Sequence, residues 1–573
     1  MRTTDASAPR AGEAHEASDP GGASDARGPV GTSGPSDGED RAPGTTGRGG
    51  AEARPATGAL AQLAAEYEAM GSIALTDDER WPGAGDGDRA HLTALLAEPG
   101  APRWTHRTGD RLTAADLAAL ARRDEAALIG SLAPGATTGP PDGPTSTTPD
   151  GERHSGGAPT PDGEPAWVRA LVERAHAVVP RYRASERAGL TGPSSALRDL
   201  PLVSREDLVR DVASYVPIDV PLDRVLEGSS SGSVGAAIHV PLHPVPVAAD
   251  LLALHALVER VGVPWRAEPD RLALALLVDQ ERAFTYASLM QAFPGSSAAA
   301  GGVGLASPPL MARVNLDPRA WASASDRDAW LARHDPQVVS TSTLPLLTLL
   351  ALAERGLAVR PLAVVNGATH LTPAARDLVL DRWGAPVVDV YGLREVGLVA
   401  WAGPDEAREG VHRVLPRRVH VEVVDEAGRP VPDGVRGEVV VTVEENPYLP
   451  LLRYRTGDTA ALRRGSDGVL LVALEGRHVV LYRDAAGRQR PSVEATQLLQ
   501  ACGLLAWHLH QDADGGLTLL ALPSPGVGRA GAEEARDAVA DWLGRDVELT
   551  LAPTVAAFPP GKPRRFSAAD RAV

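Results

Sequence analysis

Short apolar runs, separated by segments with helical spacing, dominate the middle of the chain. The runs are residues 272–278, 338–340, 362–366 and 387–390. Their length and their flanks are those of buried strands. Because strands that alternate with helices form layered structures, the pattern predicts an α/β fold with a largely parallel sheet.

Strict alternation of apolar and polar residues appears later, at 419–424 and 437–443, with Gly-Arg-Pro and Asp-Gly turn signals between the two segments. This period is typical of half-buried strands and predicts a β-rich subdomain. Beyond about residue 478, hairpin-like strands and one helix near 533–543 predict a small α+β unit.

Helical spacing also occurs before the first apolar run, at 59–70, 113–129 and 167–179. A further helix is predicted to begin after Ser204. Its hydroxyl can accept from amides of the first turn, and Asp207 follows three residues later.

The domain organisation follows from composition. Residues 1–56 contain almost no large apolar side chains, so they cannot offset the entropy of ordering and are predicted to be a disordered tail. Residues 134–165 are rich in Pro, Gly, Thr and Asp and are predicted to be a flexible insertion. We therefore predict a large N-terminal domain at 57–477, built of layered sheets and helices, and a small α+β C-terminal domain at 478–573.

Charge and cysteine content exclude several classes of protein. The formal net charge of -17 argues against a nucleic-acid partner, because phosphate binding needs clustered Lys and Arg. Cys502 is the single cysteine, so no intramolecular disulfide can form, and no apolar stretch has the length of a signal peptide or a membrane span. We expect a cytoplasmic protein without a membrane partner. The sequence allows a homodimer but does not fix the oligomeric state.

Lysine is almost absent. Among 57 basic residues the one lysine is Lys562, in the segment Pro-Gly-Lys-Pro-Arg-Arg. Arginine and lysine differ in shape and hydration, so a chain that avoids lysine elsewhere points to a need for a compact ammonium here. The alternative is a surface lysine without a role.

Three segments carry candidate chemistry. Ser229-Ser-Ser-Gly-Ser-Val-Gly235 could cradle phosphate with hydroxyls and backbone amides, although a Ser/Gly linker would look similar. Tyr391-Gly-Leu-Arg-Glu395 follows a predicted strand, where open α/β sheets bind ligands and where an acid could hold magnesium. The alternative for Glu395 is a solvated loop acid.

The third segment is Arg453-Tyr-Arg-Thr-Gly-Asp458, which is followed by Gly476-Arg477. A carboxylate beyond a glycine turn can accept from both ribose hydroxyls, and a nearby arginine can pair with phosphate. An ordinary β-turn with a surface ion pair would give the same pattern.

In this order the segments resemble the adenylate-forming superfamily of acyl-CoA synthetases and peptide-synthetase adenylation domains. Residues 179–183 and 199–208 resemble the entry to the phosphate loop in its phenylacetate-CoA ligase and capsule-biosynthesis-like branch. The resemblance covers roughly residues 166–566.

The resemblance implies ATP and Mg²⁺, with CoA as co-substrate, and it implies that the C-terminal domain is a mobile lid. Glu395 would bind magnesium, Asp458 would hold the ribose hydroxyls, and Lys562 would contact the substrate carboxylate and the α-phosphate. The residues placed at the nucleotide are Ser230, Ser231, Gly232, Ser233, Gly235, Asn366, Gly367, Ala368, Tyr391, Gly392, Asp458 and Arg477.

Two departures from the family pattern affect the expected function. Val234 replaces a usual threonine, and Ala236 with Ala237 replaces a small-Pro-Lys ending, which removes a hydroxyl and a cation from the pyrophosphate grip. His478 stands where a charged hinge residue is usual. Adenylation is therefore better supported than transfer to CoA.

The resemblance implies activation of a small aromatic carboxylic acid as acyl-AMP and its transfer to CoA. Phe284 and Tyr286 lie in the region of the aryl-acid pocket, where aromatic walls would suit a planar acid, although both residue types are also common in cores. One alternative sends the acyl group to an amine, a carrier-protein thiol or another nucleophile. A second is a nucleotide-binding relative without catalysis.

Overall fold

The described part of the chain begins after the predicted tail. The computed structural model describes residues 75–123, 164–230, 238–281, 283–296, 307–415, 419–466, 468–476, 479–559 and 564–569, with two short strands at 146–147 and 153–154. The predicted tail, the helix at 59–70 and most of the predicted insertion lie outside these residues. Thr57–Val573 form one compact unit.

Helices cover both faces of the central sheet. The α-helices are α1 (Asp77–Arg80), α2 (Asp86–Leu96), α3 (Ala114–Leu120), α4 (Ala166–Val178), α5 (Pro180–Arg187), α6 (Arg205–Asp211), α7 (Pro244–Arg260), α8 (Ala324–His334), α9 (Thr343–Glu354), α10 (Pro373–Trp383), α11 (Pro404–Arg408), α12 (Ser492–Ala501) and α13 (Gly528–Leu543). Short 3₁₀ turns occur at Leu197–Asp199, Val212–Tyr215, Pro318–Ala320 and Val555–Ala557.

The strands fall into one large sheet and several small ones. They are β1 (Ser146–Thr147), β2 (Arg153–His154), β3 (Leu226–Ser230), β4 (Ile238–Leu242), β5 (Leu274–Val278), β6 (Tyr286–Leu289), β7 (Leu310–Asn315), β8 (Val338–Thr341), β9 (Ala363–Gly367), β10 (Val387–Leu393), β11 (Gly397–Ala402), β12 (Val411–Val414), β13 (His420–Val424), β14 (Arg436–Val443), β15 (Leu451–Gly465), β16 (Gly468–Glu475), β17 (Leu481–Arg483), β18 (Gln489–Pro491), β19 (Leu504–Gln511), β20 (Leu517–Pro523), β21 (Val547–Leu551) and β22 (Phe566–Ala568).

Twelve of the described strands form a single mixed sheet, in the order β13-β14-β15-β16-β12-β11-β10-β9-β8-β5-β7-β6. Its parallel part runs from β10 through β9, β8 and β5 to β7. The four apolar runs of the sequence form four of these strands, so the predicted α/β fold class is confirmed.

The predicted β-rich subdomain is continuous with the parallel part, because β11 pairs with β10 and β12 pairs with β11, both antiparallel. The expectation of a largely parallel sheet is therefore wrong for the sheet as a whole. Local patterning reveals single strands and hairpins, whereas the joining of two sheet regions edge to edge depends on contacts that are distant in sequence.

Successive residues of β9 and β10 point to opposite faces and set the layers. Val364 and Val387 pack with α9 and α10 on one face, and Val365 and Val388 pack with α7 on the other. The two faces of the sheet are thus both covered, as parallel strands require.

The predicted helix start at Ser204 is confirmed, because Ser204 and Asp207 form a capping box at α6.

The C-terminal strands form a second sheet, in the order β21-β20-β19-β22. Together with α12 and α13 this sheet encloses a core of its own. Its outer face supplies Leu505 and Ala506 to the apolar cluster beneath α9 and α10, and Phe558 joins the same cluster. Nowhere in the described residues is there a helix both long and apolar enough to cross a membrane.

Candidate nucleotide site

The candidate site lies at the carboxyl ends of β9 and β10, on the sheet face that carries α10. Asn366 is the next-to-last residue of β9 and is fully buried. Its Nδ2 donates to Thr369 O (2.8 Å) and to Asp389 Oδ1 (2.7 Å). Between them Ala368 adopts a φ of 64°, which turns the chain back on itself. The segment Asn366–Ala368, which the resemblance places on the adenine side and which is called the adenine segment, is therefore a tight loop fixed by its own asparagine.

Asp389, two residues before Tyr391, is the buried centre of a charged network. Its Oδ2 accepts from Arg376 Nη2 at 2.6 Å, and His412 Nε2 lies 3.8 Å away. Burial by itself would raise the pKa of Asp389, but His412, Arg376 and Asn366 outweigh burial and lower the pKa to about 2. The carboxylate is thus ionised at neutral pH and ties β10 to α10 and β12.

Tyr391 and Asp458 come together although 67 residues separate them. The Tyr391 hydroxyl donates to Asp458 Oδ2 at 2.8 Å. A Cβ at Gly476 would lie 3.9 Å from Asp458 Oδ1, so the strand end before Arg477 passes beside the same carboxylate. The structure therefore unites parts of two motifs, an aromatic ring and a carboxylate, in the arrangement that an adenosine with its ribose could use.

Glu395 occupies the turn between β10 and β11 and is 3% exposed. Its Oε1 accepts from the Tyr454 hydroxyl at 2.5 Å. The turn is tight, because a Cβ at Gly392 would lie 2.6 Å from Gly397 O, so glycine is required there. The second and third motifs thus touch twice, through two separate tyrosines.

Magnesium fits the donor set at this turn. Mg²⁺ commonly takes one or two carboxylates from a protein and completes its octahedron with substrate phosphates and water. Glu395 supplies one such carboxylate. Among the described residues no group of three or more His, Cys, Asp and Glu side chains could hold a metal ion by themselves.

The predicted phosphate loop connects β3 and β4. These strands form an antiparallel hairpin in which Ser230 pairs with Ile238. Ile238 and Val240 belong to the same apolar cluster as Val396 and Tyr454, and Tyr391 packs against that cluster. The hairpin and the Glu395 turn therefore contribute to the same apolar cluster. Other predicted site residues lie outside the described residues: Ser231, Gly232, Ser233, Gly235, Arg477 and Lys562.

Phe284 and Tyr286 lie away from this cluster, at the sheet edge where β6 pairs with β7. Their rings stack with centroids 5.8 Å apart, and the Arg313 guanidinium lies 4.1 Å from the Phe284 ring centroid. Five strand positions separate β6 from β10, which corresponds to roughly 24 Å along the sheet. The structure does not bring these two aromatic residues to the nucleotide site, and their role in acid binding stays a prediction.

Comparison with known proteins agrees with this geometry. The family model described as AMP-binding enzyme matches residues 306–444. The crystal structure of a 2-hydroxyisobutyryl-CoA ligase, in the postadenylation state with an acyl-AMP, has the same fold with a TM-score of 0.51 and 19% identity, covering 70% of this chain and 89% of that one. Residues 306–444 therefore match the AMP-binding enzyme family, and the described chain shares the fold of that ligase.

Curated relatives of this chain are phenylacetate-coenzyme A ligases. That of Aromatoleum evansii is 34% identical over 104 residues, which are 17% of this chain and 22% of the relative. That of Thermus thermophilus is 33% identical over 138 residues, 22% of this chain and 30% of the relative. The chain thus spans less than a third of the length of the curated relatives that it matches.

Sequence reasoning missed two residues of the candidate nucleotide site. Tyr454 lies inside the third motif, but its partner Glu395 is 59 residues away, so only the fold reveals the contact. Asp389 lies two residues before Tyr391, and an acid inside a run of valines was a signal that could have found it. Arg453, at the start of the third motif, instead binds Glu422 and backbone carbonyls in the interior.

Proposed function

We propose that this protein joins a small aromatic carboxylic acid to AMP, releases pyrophosphate, and passes the acyl group to CoA. The observation that carries the proposal is the contact of Tyr391 with Asp458 beside Gly476, because it assembles an aromatic ring and a ribose-binding carboxylate from separate motifs. Similarity to phenylacetate-coenzyme A ligases supports an aromatic acid and CoA.

In the first step a carboxylate oxygen of the acid bonds to the α-phosphorus of ATP, and the bond to pyrophosphate breaks. Two anions must approach, so catalysis depends on positioning and on charge neutralisation. In the proposal Tyr391 stacks on the adenine, Asn366–Ala368 line its side, and Asp458 accepts hydrogen bonds from the ribose hydroxyls. The hairpin loop after Ser230 would donate to the leaving phosphates.

In the second step the CoA thiolate attacks the acyl carbonyl carbon, and AMP leaves with the bonding electron pair.

Two cations would assist the first step. A magnesium ion held by Glu395 would neutralise charge on the phosphates of ATP. The Tyr454 hydroxyl orients that carboxylate, because its hydrogen bond fixes Oε1. Lys562 would approach the reacting carboxylate as an ammonium, the role proposed for the single lysine of the chain.

ATP–pyrophosphate exchange, measured without acceptor over a panel of aryl and short acids, tests the adenylation step. We expect exchange with aryl acids, and we expect Lys562→Ala to reduce it far more than it weakens ATP binding, since its contact forms mainly in the reacting state. Equal losses of exchange and ATP affinity would remove Lys562 from the reacting centre. Exchange with no acid would leave a nucleotide-binding protein without this activity.

Acceptor dependence tests the second step. With the acid found above, AMP release should rise when CoA is added. If AMP release rises with an amine or a carrier-protein thiol but not with CoA, that nucleophile is the acceptor and the adenylation step still stands. The altered residues Val234, Ala236 and His478 motivate this control.

We also propose a cytoplasmic location and a homodimer. The single cysteine, Cys502, is buried and free, which fits a reducing compartment. Light scattering of the purified chain decides the oligomeric state, and a monomer mass would remove the dimer from the proposal.

A further inference from the structure

An ion pair joins the C-terminal unit, residues 479–559 and 564–569, to the large sheet. Arg565 Nη2 donates to Glu475 Oε2 at 2.9 Å, with side chains 20% and 11% exposed. Most of this pair is out of water, so its energy depends strongly on geometry. Glu475 ends β16, and Arg565 directly precedes β22.

The Arg565 side of the contact is fixed by the C-terminal sheet. Leu509 N donates to Arg565 O at 2.9 Å. The guanidinium lies 5.6 Å from the Trp507 ring and 5.4 Å from the Phe566 ring, within the range of cation–π attraction. The arginine therefore reaches the sheet with little freedom of its own.

The Glu475 side is fixed beside the proposed ribose carboxylate. Glu475 pairs in the ladder with Thr459, the residue after Asp458. The next residue, Gly476, is the one whose Cβ position lies 3.9 Å from Asp458 Oδ1. The ion pair thus ends one residue from the part of the site that would hold the sugar.

A second contact joins the same two surfaces without charge. Gln500 Nε2 lies 2.6 Å from His370 Nε2, on α12 and just beyond the adenine segment respectively. Burial and the nearby positive charge of Arg565 hold the pKa of His370 well below its ordinary value, so this imidazole is neutral. Among the described residues, the Arg565–Glu475 pair is thus a charged contact of this junction, whereas the Gln500–His370 contact is uncharged.

We propose that Arg565 and Glu475 are positioning residues of acyl-AMP formation, docking the C-terminal unit on the nucleotide edge of the sheet. The role in acyl-AMP formation rests on the proposed function, whereas the docking of the C-terminal unit does not. A pair that must be intact for the first reaction need not be intact for acyl transfer, since a thiol must reach the acyl carbonyl afterwards.

This step is tested by comparing the full-length protein with four variants: Arg565→Met, Glu475→Gln, Arg565→Lys, and the double variant that combines Arg565→Met with Glu475→Gln. We expect each neutralising change to lower the exchange rate constant about tenfold while the ATP KM moves less than about threefold. Transfer from synthetic acyl-AMP to CoA should stay within about threefold. Arg565→Lys should recover part of the loss, because it keeps the charge.

Coupling identifies the pair itself. The double variant should be no slower than the slower single variant, because residues in one ion pair lose the same interaction. Arg464→Met is the matched control, since Arg464 pairs with Asp433 on an exposed turn, and it should leave every rate unchanged. A double variant whose loss equals the product of the two single losses would overturn the positioning role. Equal losses in pyrophosphate exchange and in acyl transfer would overturn it as well.

Hydrogen exchange separates this proposal from the proposed function. In Arg565→Met, amide hydrogens in peptides covering α10 and β19 should exchange with solvent faster than in the wild type. This result is expected whether or not any acid supports ATP–pyrophosphate exchange. Unchanged exchange in both peptides would show that the pair does not dock the C-terminal unit, even in an active enzyme.

Discussion

Two carboxylates of the nucleotide site, Asp458 proposed for the ribose and Glu395 proposed for magnesium, each accept a hydrogen bond from a tyrosine. Tyr391 donates to Asp458 and Tyr454 donates to Glu395. Hydrogen bonds to ionised groups are shorter and stronger than neutral ones. Each phenol therefore fixes one carboxylate oxygen in direction. A ligand meets carboxylates that are already oriented.

Tyr454→Phe should weaken the use of magnesium. Removing a hydrogen bond to a charged group costs about 1.5–3 kcal/mol, so the Mg²⁺ concentration at half-maximal exchange should rise about tenfold to hundredfold. Tyr482→Phe is the control, since the Tyr482 hydroxyl donates to Leu509 O inside the C-terminal core. A Tyr454→Phe enzyme with unchanged magnesium dependence would separate Tyr454 from the metal site.

Asp389→Asn should change how stability depends on pH. The folded-state pKa of Asp389, about 2, lies below its ordinary value of 3.8, so the carboxylate stabilises the fold above about pH 4 and loses this contribution as the pH falls toward 2. The difference between these two pKa values corresponds to roughly 2 kcal/mol.

Urea unfolding between pH 3 and 6 provides the measurement for Asp389→Asn. The wild-type free energy of unfolding should fall with acid more steeply than that of the variant, with the exposed Asp541→Asn as control. Parallel curves for wild type and Asp389→Asn would contradict the assignment.

At the scale of elements, β15 is anchored by an arginine with an unusual backbone conformation. Arg453 has a φ of 51° and is 2% exposed. Its guanidinium meets both oxygens of Glu422 on β13 at 3.1 Å and donates to Arg198 O, Leu200 O and Gly428 O. One side chain thus joins two strands, a turn and the segment before α6.

Arg453→Met should destabilise the fold by about 3–5 kcal/mol, because it leaves the Glu422 charge buried and unpaired. The Glu422→Met and Arg453→Met double variant should recover much of the loss. Urea unfolding measures both, and the ATP KM of the folded fraction should be unchanged. An Arg453→Met variant that loses ATP affinity without losing stability would contradict this structural role.

At the scale of the whole molecule, the nucleotide edge of the sheet is also where the C-terminal unit rests. Phe558, Leu505 and Ala506 bury apolar surface against α9 and α10, while Arg565 and Gln500 make polar contacts at Glu475 and His370. The apolar contact is non-directional, whereas the polar contacts depend on orientation. The apolar contacts can therefore hold the C-terminal unit on this surface, while the polar contacts set its orientation.

Much of the fold and part of the site could be predicted from sequence. The runs that became β5, β8, β9 and β10 were visible because buried parallel strands are continuously apolar. Tyr391, Glu395 and Asp458 were visible because their motifs are local. Their mutual contacts were not, since a hydrogen bond across 59 or 67 residues leaves no local pattern.

Local sequence patterns specify which segments become strands and helices, where α6 is capped, and which short motifs carry carboxylates and aromatic rings. These features depend on neighbours within a few residues. Long-range packing, in contrast, makes the β-rich part continue the parallel sheet, buries Arg453 in the interior, and brings Arg565 to Glu475. These depend on which surfaces exclude water together, and that choice is made by the packed chain as a whole.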